Sequence, residues 1–507
     1  MTQLVLTEGQ TSARLTIGRM LIALLCISLW TVMYLRVADK VIGIDKDYMY
    51  LYLCGIEMID PSQQDQQTQL TEQLVAAGAN DHLLYRARMR ESYCNNYPFT
   101  SLSMYLSGSI QIRLGITDPA KDFPEFVANA MWWGLMLSGG VLGLLCLLIV
   151  FSVAGDTLLL AMAGALAVAA LLYLALPPPS LSWFLLQSTP ARIVNLPNTL
   201  GISAYSWLNP TAVFSPFSAF PRCLCAMLAF AAFALRWSGR NALAYWAPFL
   251  VSFVHQSEAP ILLATMICCD AVPQPAAWPR IKVLLPIGLT VVTIALREHM
   301  HSILGFSGPS GLPAVVLSLV VVVSVTLVVA VPRLRSVLIS VWKAGEQWRL
   351  GLVRRFPLPT CDALVILAIW LAVFLVSYIV SRHDNMYRII YFWSELPSRY
   401  VGLFQLPVFV GLAYPAFTAL AGSNPVRSGT AIISCLALAF AIGASGWTFN
   451  GPAVATKWAN TVEQWIAKNY AGDQGGYSRI ETPWYYLMVR HAYLGGKTIS
   501  DYFGKGS

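Results

Sequence analysis

The stretch "NALAYWAPFLVSFVHQSEAPILLATMICCD", Asn241 to Asp270, decides how this chain is threaded. It holds two apolar pieces, residues 242–254 and 259–269, separated by the polar "HQSEAP". Crossing roughly 30 Å of hydrocarbon takes about 20 apolar residues, and neither piece is that long. Read as one kinked span, the stretch would carry the chain to the opposite side of a membrane. Read as a pair of short helices or a re-entrant hairpin, it returns the chain to the side it came from. Its polar tip, from His255 to Glu258, then sits at depth and must be shielded by protein.

The loop charges choose between the two. Runs of spanning length occur near 16–36, 128–152, 157–176, 220–237, 281–297, 312–331, 361–380, 403–421 and 429–448. With the N-terminus inside and 241–270 as a hairpin, the inside loops collect Arg236 and Arg240, Arg280 and Lys282, then the basic 333–355 segment, then Arg427. That is the positive-inside pattern. The one-span reading puts 333–355 outside and breaks it. The expected fold is therefore an all-α polytopic membrane protein of about eleven segments, with the N-terminus cytoplasmic and the C-terminus exterior.

Composition agrees with a membrane chain. Of 507 residues, 57% are hydrophobic and only 11% charged, against about 25% charged in soluble domains. The net charge of +8 falls mainly in short inter-span loops, so nucleic acid is excluded as a partner. The first run is too long for a cleavable signal sequence and has no small-residue cleavage site after it, so it stays as an anchor. Most cysteines sit inside apolar runs without metal-ligand spacing; only Cys54 and Cys94 share a long polar loop.

After residues 1–36 come the first exterior loop, 37–127, and then the bundle, 128–448, whose exterior stretches are 177–220 and 381–402; 449–507 forms an exterior tail. Within the first loop, 65–92 and 97–114 show amphipathic helical spacing. In the second piece Tyr97, Leu102, Tyr105, Leu106 and Ile110 share a side, as in a helix lying in the membrane interface. On an exterior, oxidising side Cys54 and Cys94 are candidates for a disulfide, with two free thiols as the alternative.

"IDKDYMYLY" places Asp45 and Asp47 directly outside the first membrane helix, followed by Tyr48. If extended, the segment turns both carboxylates to one face; if it starts a helix, Asp45 is an N-cap and Asp47 a first-turn acid. The segment "DKDY", Asp45 to Tyr48, resembles the D-x-D-Y pattern of the GT-C superfamily of polytopic glycosyltransferases, which carry acids in the first exterior loop. The resemblance implies Asp45 and Asp47 as catalytic acids with Tyr48 beside the substrate, a polyprenyl-phosphate-linked sugar as donor, and a glycan or protein as acceptor. It places the enzyme in the bacterial inner membrane with a periplasmic active site. Pilin arabinofuranosyltransferases are the narrower resemblance, with prophage-type O-antigen glucosyltransferases beside them.

The chemistry assigns the remaining candidates. A carboxylate within hydrogen-bond reach of an acceptor hydroxyl assists its attack on the anomeric carbon. The departing phosphate needs fixed cationic donors. Exterior candidates are Arg192, Arg222, His255 at the hairpin tip, and Arg382, His383, Arg388 and Arg399, which alternate with aromatics. Arg222 and Arg382 also have the position of cations that snorkel to headgroups, and the aromatic belt of 381–402 has an interfacial reading as well. Glu258 pairs with His255 or contacts substrate. Asn95, Asn96 and Tyr97 approach sugar hydroxyls or form an Asx-turn before Pro98. No cofactor is required; two carboxylates have the chemistry to hold a divalent ion with waters, but no metal motif calls for one.

Two other classes compete. A flippase or transporter of lipid-linked glycan distributes charge along a central cavity and commonly has related halves. An O-antigen polymerase or ligase relies on arginines in two large exterior loops.

Overall fold

The computed structural model describes residues 2–41, 47–60, 98–175, 217, 222–255, 258–270, 285–294, 355–381, 387–423 and 425–445, and discontinuous positions within 447–464 and 486–494. Among the described residues every regular element is helical. α1 is Thr2–Val41, α2 Asp47–Ile59 and α3 Pro98–Arg113. α4, Phe123–Leu135, runs through a π-helical turn, Met136–Val141, into α5, Leu142–Val153, and α6 is Asp156–Ala175. α7 is Arg222–Trp237, α8 Trp246–Val254 and α9 Glu258–Asp270. α10 is Leu358–Ser381, α11 Tyr387–Ser423 and α12 Pro425–Ala444.

Four helical stretches among the described residues are long and apolar enough to cross a membrane: Gly18–Arg36, Phe123–Val153, Asp156–Leu174 and Tyr400–Leu420. Further apolar helical stretches among the described residues include Leu285–Ile294, Leu358–Val373 within α10 and Ser428–Ala444 within α12. Outward-facing leucines on α1, α5, α6, α10, α11 and α12, among them Leu24, Leu148, Leu172, Leu371, Leu412 and Leu438, stay exposed. Such a belt on a helical bundle suits lipid rather than water. Of the expected segments, 312–331 and parts of 220–237 and 281–297 lie outside the described residues, so the four long stretches do not test the count of about eleven.

Two groups of buried residues make the interior. One is built by α1, α5, α6, α7, α11 and α12 around Trp30, Tyr34, Met227 and Phe230. The other joins α2, α3 and α4 to α7, α8, α9 and the tail around Tyr52, Phe126, Phe233 and Tyr486. The π-helical turn has a local cause. Tyr34 of α1 donates its hydroxyl to the Leu135 carbonyl at 2.9 Å, and its ring occupies the space beside Gly139. A side chain inserted into the helical ladder widens it at that point.

Helix α3 inverts the ordinary amphipathic rule. Its buried residues are Thr100, Ser101, Ser103, Met104, Ser107, Gly108 and Gln111, while Leu106 and Ile110 are exposed. Small side chains let α2 and α4 approach closely: Gly55 of α2 lies against the Ser101 carbonyl, and a Cβ on Gly134 of α4 would be 2.7 Å from Met104 Cα. The apolar side predicted from Leu106 and Ile110 exists, and it faces out. Residues 65–92 lie outside the described residues.

The expected loop 381–402 is a correction. From Tyr387 onward it is the first part of α11, continuous with the apolar run that follows. Arg388 and Arg399 are therefore carried on a helix. The run "YRIIYFWSEL" has no glycine, and no proline before Pro397, so nothing in it breaks a helix, although its Ile and aromatic residues do not favour one.

Candidate functional site

The hairpin is where the fold concentrates polar groups. α8 ends at His255, whose backbone turns extended (φ −153°, ψ 109°) while its N–H still donates to the Val251 carbonyl at 2.8 Å. Glu258 opens α9, and its N–H donates to the His255 carbonyl at 3.2 Å. Pro260 near the start of α9 costs no helical hydrogen bond there. α8 packs against α7 and α9, and Tyr245 meets Asp270 at the base, so 241–270 doubles back as expected.

His255 is 3% exposed and Glu258 2%. The Cys225 thiol of α7 lies beside the Glu258 carboxylate, and Arg222 stands three residues before it on the same helix. Two expected site residues, His255 and Glu258, thus share one tip, and Arg222 stands on the adjoining end of α7. An acid at a helix N-terminus is favoured by the helix dipole, and the guanidinium nearby adds to that.

The base of the hairpin holds a second cluster that sequence reading missed. Arg236, 2% exposed, donates through Nε to Asp362 Oδ2 at 2.7 Å and through Nη2 to Oδ1 at 3.2 Å. The same Nη2 donates to the Cys269 carbonyl at 2.9 Å, and Nη1 pairs with Asp270. Trp237 Nε1 donates to Asp362 at 2.8 Å, and Tyr245 Oη donates to Asp270 at 2.5 Å. One guanidinium therefore serves two carboxylates, with an indole and a phenol supplying further donors. Tyr245 opens the hairpin and Asp270 ends it, so their bond closes the loop at its base.

Arg236 was expected as a loop cation that only sets orientation; it is a buried structural ion instead. Cys225 and Arg236 are about 16 Å apart along α7 at a helical rise of about 1.5 Å per residue, which separates the tip from the base. The signal for the base cluster was Asp362 inside the apolar run "PTCDALVILAIW", since a charge in such a run demands a partner.

Helix α2 carries the remaining described candidate acid. Asp47 is its first residue, so the chain is helical from Asp47 onward, as the helical alternative has it for this acid. Most of α2 is buried, from Met49 through Glu57, between α3, α4 and the tail. Cys54 is disulfide-bonded, whereas Cys26, Cys146, Cys223, Cys225, Cys268, Cys269, Cys361 and Cys435 take part in no disulfide. Its expected partner Cys94 lies outside the described residues, as do Asp45, Asn95, Asn96, Tyr97, Arg192, Arg382 and His383. Tyr48, Arg388 and Arg399 have helical backbones, with side chains outside the described set.

The tail docks on α2 and α4. Tyr52 donates to Tyr493 Oη at 2.8 Å, the Phe126 and Tyr493 rings meet edge-on at 4.8 Å, and those of Phe123 and Tyr486 at 5.2 Å. Arg490 stands 5.8 Å over the Phe123 ring, a cation–π distance. Burial pushes the Tyr493 phenol up to about 12 and raises that of Tyr52 as well.

Chain-distant polar contacts bear on the threading. Arg19 pairs with Asp156 at 2.5 Å and donates to the Ala154 carbonyl, whereas Arg36 donates to the Gly443 carbonyl at 2.7 Å. These two sites are about 25 Å apart along α1. Each joins segments that the hairpin reading places on one side, and so do Tyr52 with Tyr493 and Arg236 with Asp270 and Asp362.

Among the described residues no group of three or more His, Cys, Asp or Glu is arranged to hold a metal ion. No protein-family model, curated protein or solved structure matches this chain. Its apolar helices and outward leucine belt are those of a multi-pass helical membrane protein.

Proposed function

We propose that this chain is a GT-C-like glycosyltransferase of the bacterial inner membrane, moving a sugar from a polyprenyl-phosphate carrier to a glycan or protein acceptor on the periplasmic face. The carrying observation is the mounting of α2: a helix led by Asp47 just outside the first membrane helix, buried against α3, α4 and the tail, and tied by a disulfide at Cys54. Helix α3 also contacts α8, so the acid-led helix and the hairpin share one neighbour. A site that needs a base at a fixed distance is served by such a mount.

In this reading Asp45 or Asp47 takes the proton of the acceptor hydroxyl as its oxygen bonds to the anomeric carbon. The bond from that carbon to the carrier phosphate breaks, and the phosphate leaves as an anion held by cations. His255 at the hairpin tip and Arg222 on the adjoining end of α7, with Arg192, Arg382, His383, Arg388 and Arg399, are the proposed phosphate set. D-arabinofuranose onto pilin is the narrower version.

The test is transfer of labelled sugar from polyprenyl-phosphate arabinofuranose or glucose to acceptor in proteoliposomes. Asp45→Asn and Asp47→Asn are assayed separately, and loss of the base should lower the rate by about 10²–10⁴-fold. Undiminished transfer in both folded variants would refute the base assignment. A second reading, transport of lipid-linked glycan, draws on the ionisable cluster at Arg236, Asp270 and Asp362, because buried charges among apolar helices also mark transport pathways. It predicts carrier movement across the bilayer that Asp362→Asn abolishes and the Asp45 and Asp47 variants spare.

A further inference from the structure

A cleft of about 750 Å³, with polar and apolar lining, lies between the first turns of α4 and tail residues within 452–464. Glu125 and Asn129 line it from α4, and Thr456, Lys457, Asn460 and Gln464 from the tail. Glu125 and Asn129 are one helical turn apart on α4, and Pro452, Thr456, Asn460 and Gln464 each have a helical backbone. Residues at the spacing of Glu125 and Asn129 share a helix face, and across the gap the polar side chains of Thr456, Lys457, Asn460 and Gln464 line the same cleft.

The lining specifies a ligand class. Three carboxamides, Asn129, Asn460 and Gln464, each offer a donor and an acceptor side by side, the pattern that adjacent hydroxyls of a sugar ring complement. Glu125 adds an acceptor and Lys457 a donor, so the formal charges cancel. Thr456 donates to the Pro452 carbonyl at 3.1 Å, which leaves its oxygen to accept. A phosphate would call for several cations, and an apolar ligand would strand the amides without partners. The volume lies within the range of about 300–1,000 Å³ common for small-molecule sites. Pro452 and Ala453 supply an apolar surface for the C–H face of a ring.

We propose that this cleft binds a neutral saccharide; that the saccharide is the acceptor glycan rests on the transferase reading. The shared chemistry is a row of ring hydroxyls, whether the glycan arrives free or on a lipid carrier.

The test uses the full chain in detergent micelles and saturation-transfer NMR with maltotriose, mannotriose and N-acetylchitotriose, free and then attached to a polyprenyl diphosphate. Wild type should show transfer to at least one trisaccharide. Asn129→Leu/Asn460→Leu, at half-buried and exposed positions, should keep its unfolding temperature and bind at least tenfold more weakly. Binding confined to the lipid-attached form, and weakened by the same pair of changes, also supports the cleft and names the source. No saccharide binding in either form, or binding unchanged by the two substitutions, overturns it. Sugar transfer without such binding would sink the cleft and leave the transferase reading standing. Binding in a chain whose Asp45 and Asp47 variants transfer normally would do the reverse.

Discussion

Arg236 and Asp362 meet through two hydrogen bonds, at 2.7 and 3.2 Å, joining the end of α7 to the start of α10, with Asp362 wholly sealed from solvent. Ions so buried cost more to desolvate than an exposed pair, and removal of one partner leaves the other uncompensated, typically at about 3–5 kcal/mol. Arg236→Met strands two carboxylates, so it should lower the unfolding temperature in detergent more than Asp362→Asn, which leaves Arg236 with Asp270. Equal unfolding temperatures for wild type and Arg236→Met would show the network to be energetically idle.

Tyr52 and Tyr493 couple α2 to the tail. Burial raises the Tyr493 phenol to about 12, above the ordinary value near 10. The neutral pair's contribution is therefore complete below about pH 10 and is lost as pH rises through about 12. Protease access to 486–494 should increase over that interval, in step with tyrosinate absorbance. Tyr493→Phe should weaken docking by about 1 kcal/mol; unchanged cleavage of that variant counts against the contact.

Gly55 tests how closely α2 approaches α3. A Cβ there would overlap the Ser101 carbonyl, which is backbone and cannot rotate away. Gly55→Ala should cost about 1–3 kcal/mol by overpacking, seen as reduced folded yield. Gly155→Ala, with nothing within 4 Å of the added carbon, should be neutral.

Cys54 should migrate differently on non-reducing and reducing gels in wild type and not in Cys54→Ser. Loss of the bridge should lower stability by about 2–4 kcal/mol. If Cys94→Ser keeps the shift, the expected pairing is wrong.

The hairpin was readable in advance because hydrocarbon thickness and loop charge are properties of the chain itself. Residues 242–254 and 259–269 are too short to span, and the basic 333–355 segment forbids the alternative threading. The helical start at Asp47 was one of two readings, since an Asp followed by apolar residues fits a helix start and a strand alike. The base cluster was not readable. Asp362 announces that a partner exists, but Arg236 and Asp270 stand far from it in sequence and meet it only where α7, α9 and α10 converge. The saccharide cleft has the same character: Asn129 and Asn460 are ordinary polar residues until the tail folds back on α4.

By itself, then, the sequence determined a helical membrane chain, its hairpin and the acids that follow the first helix, because length, apolarity and charge act locally along a bilayer. Which face of α3 is buried, which ions share the interior and where the tail lies were decided by tertiary structure. These depend on close approach between distant segments, as at Gly55 against Ser101 and Tyr52 against Tyr493, and such contacts have no local signature.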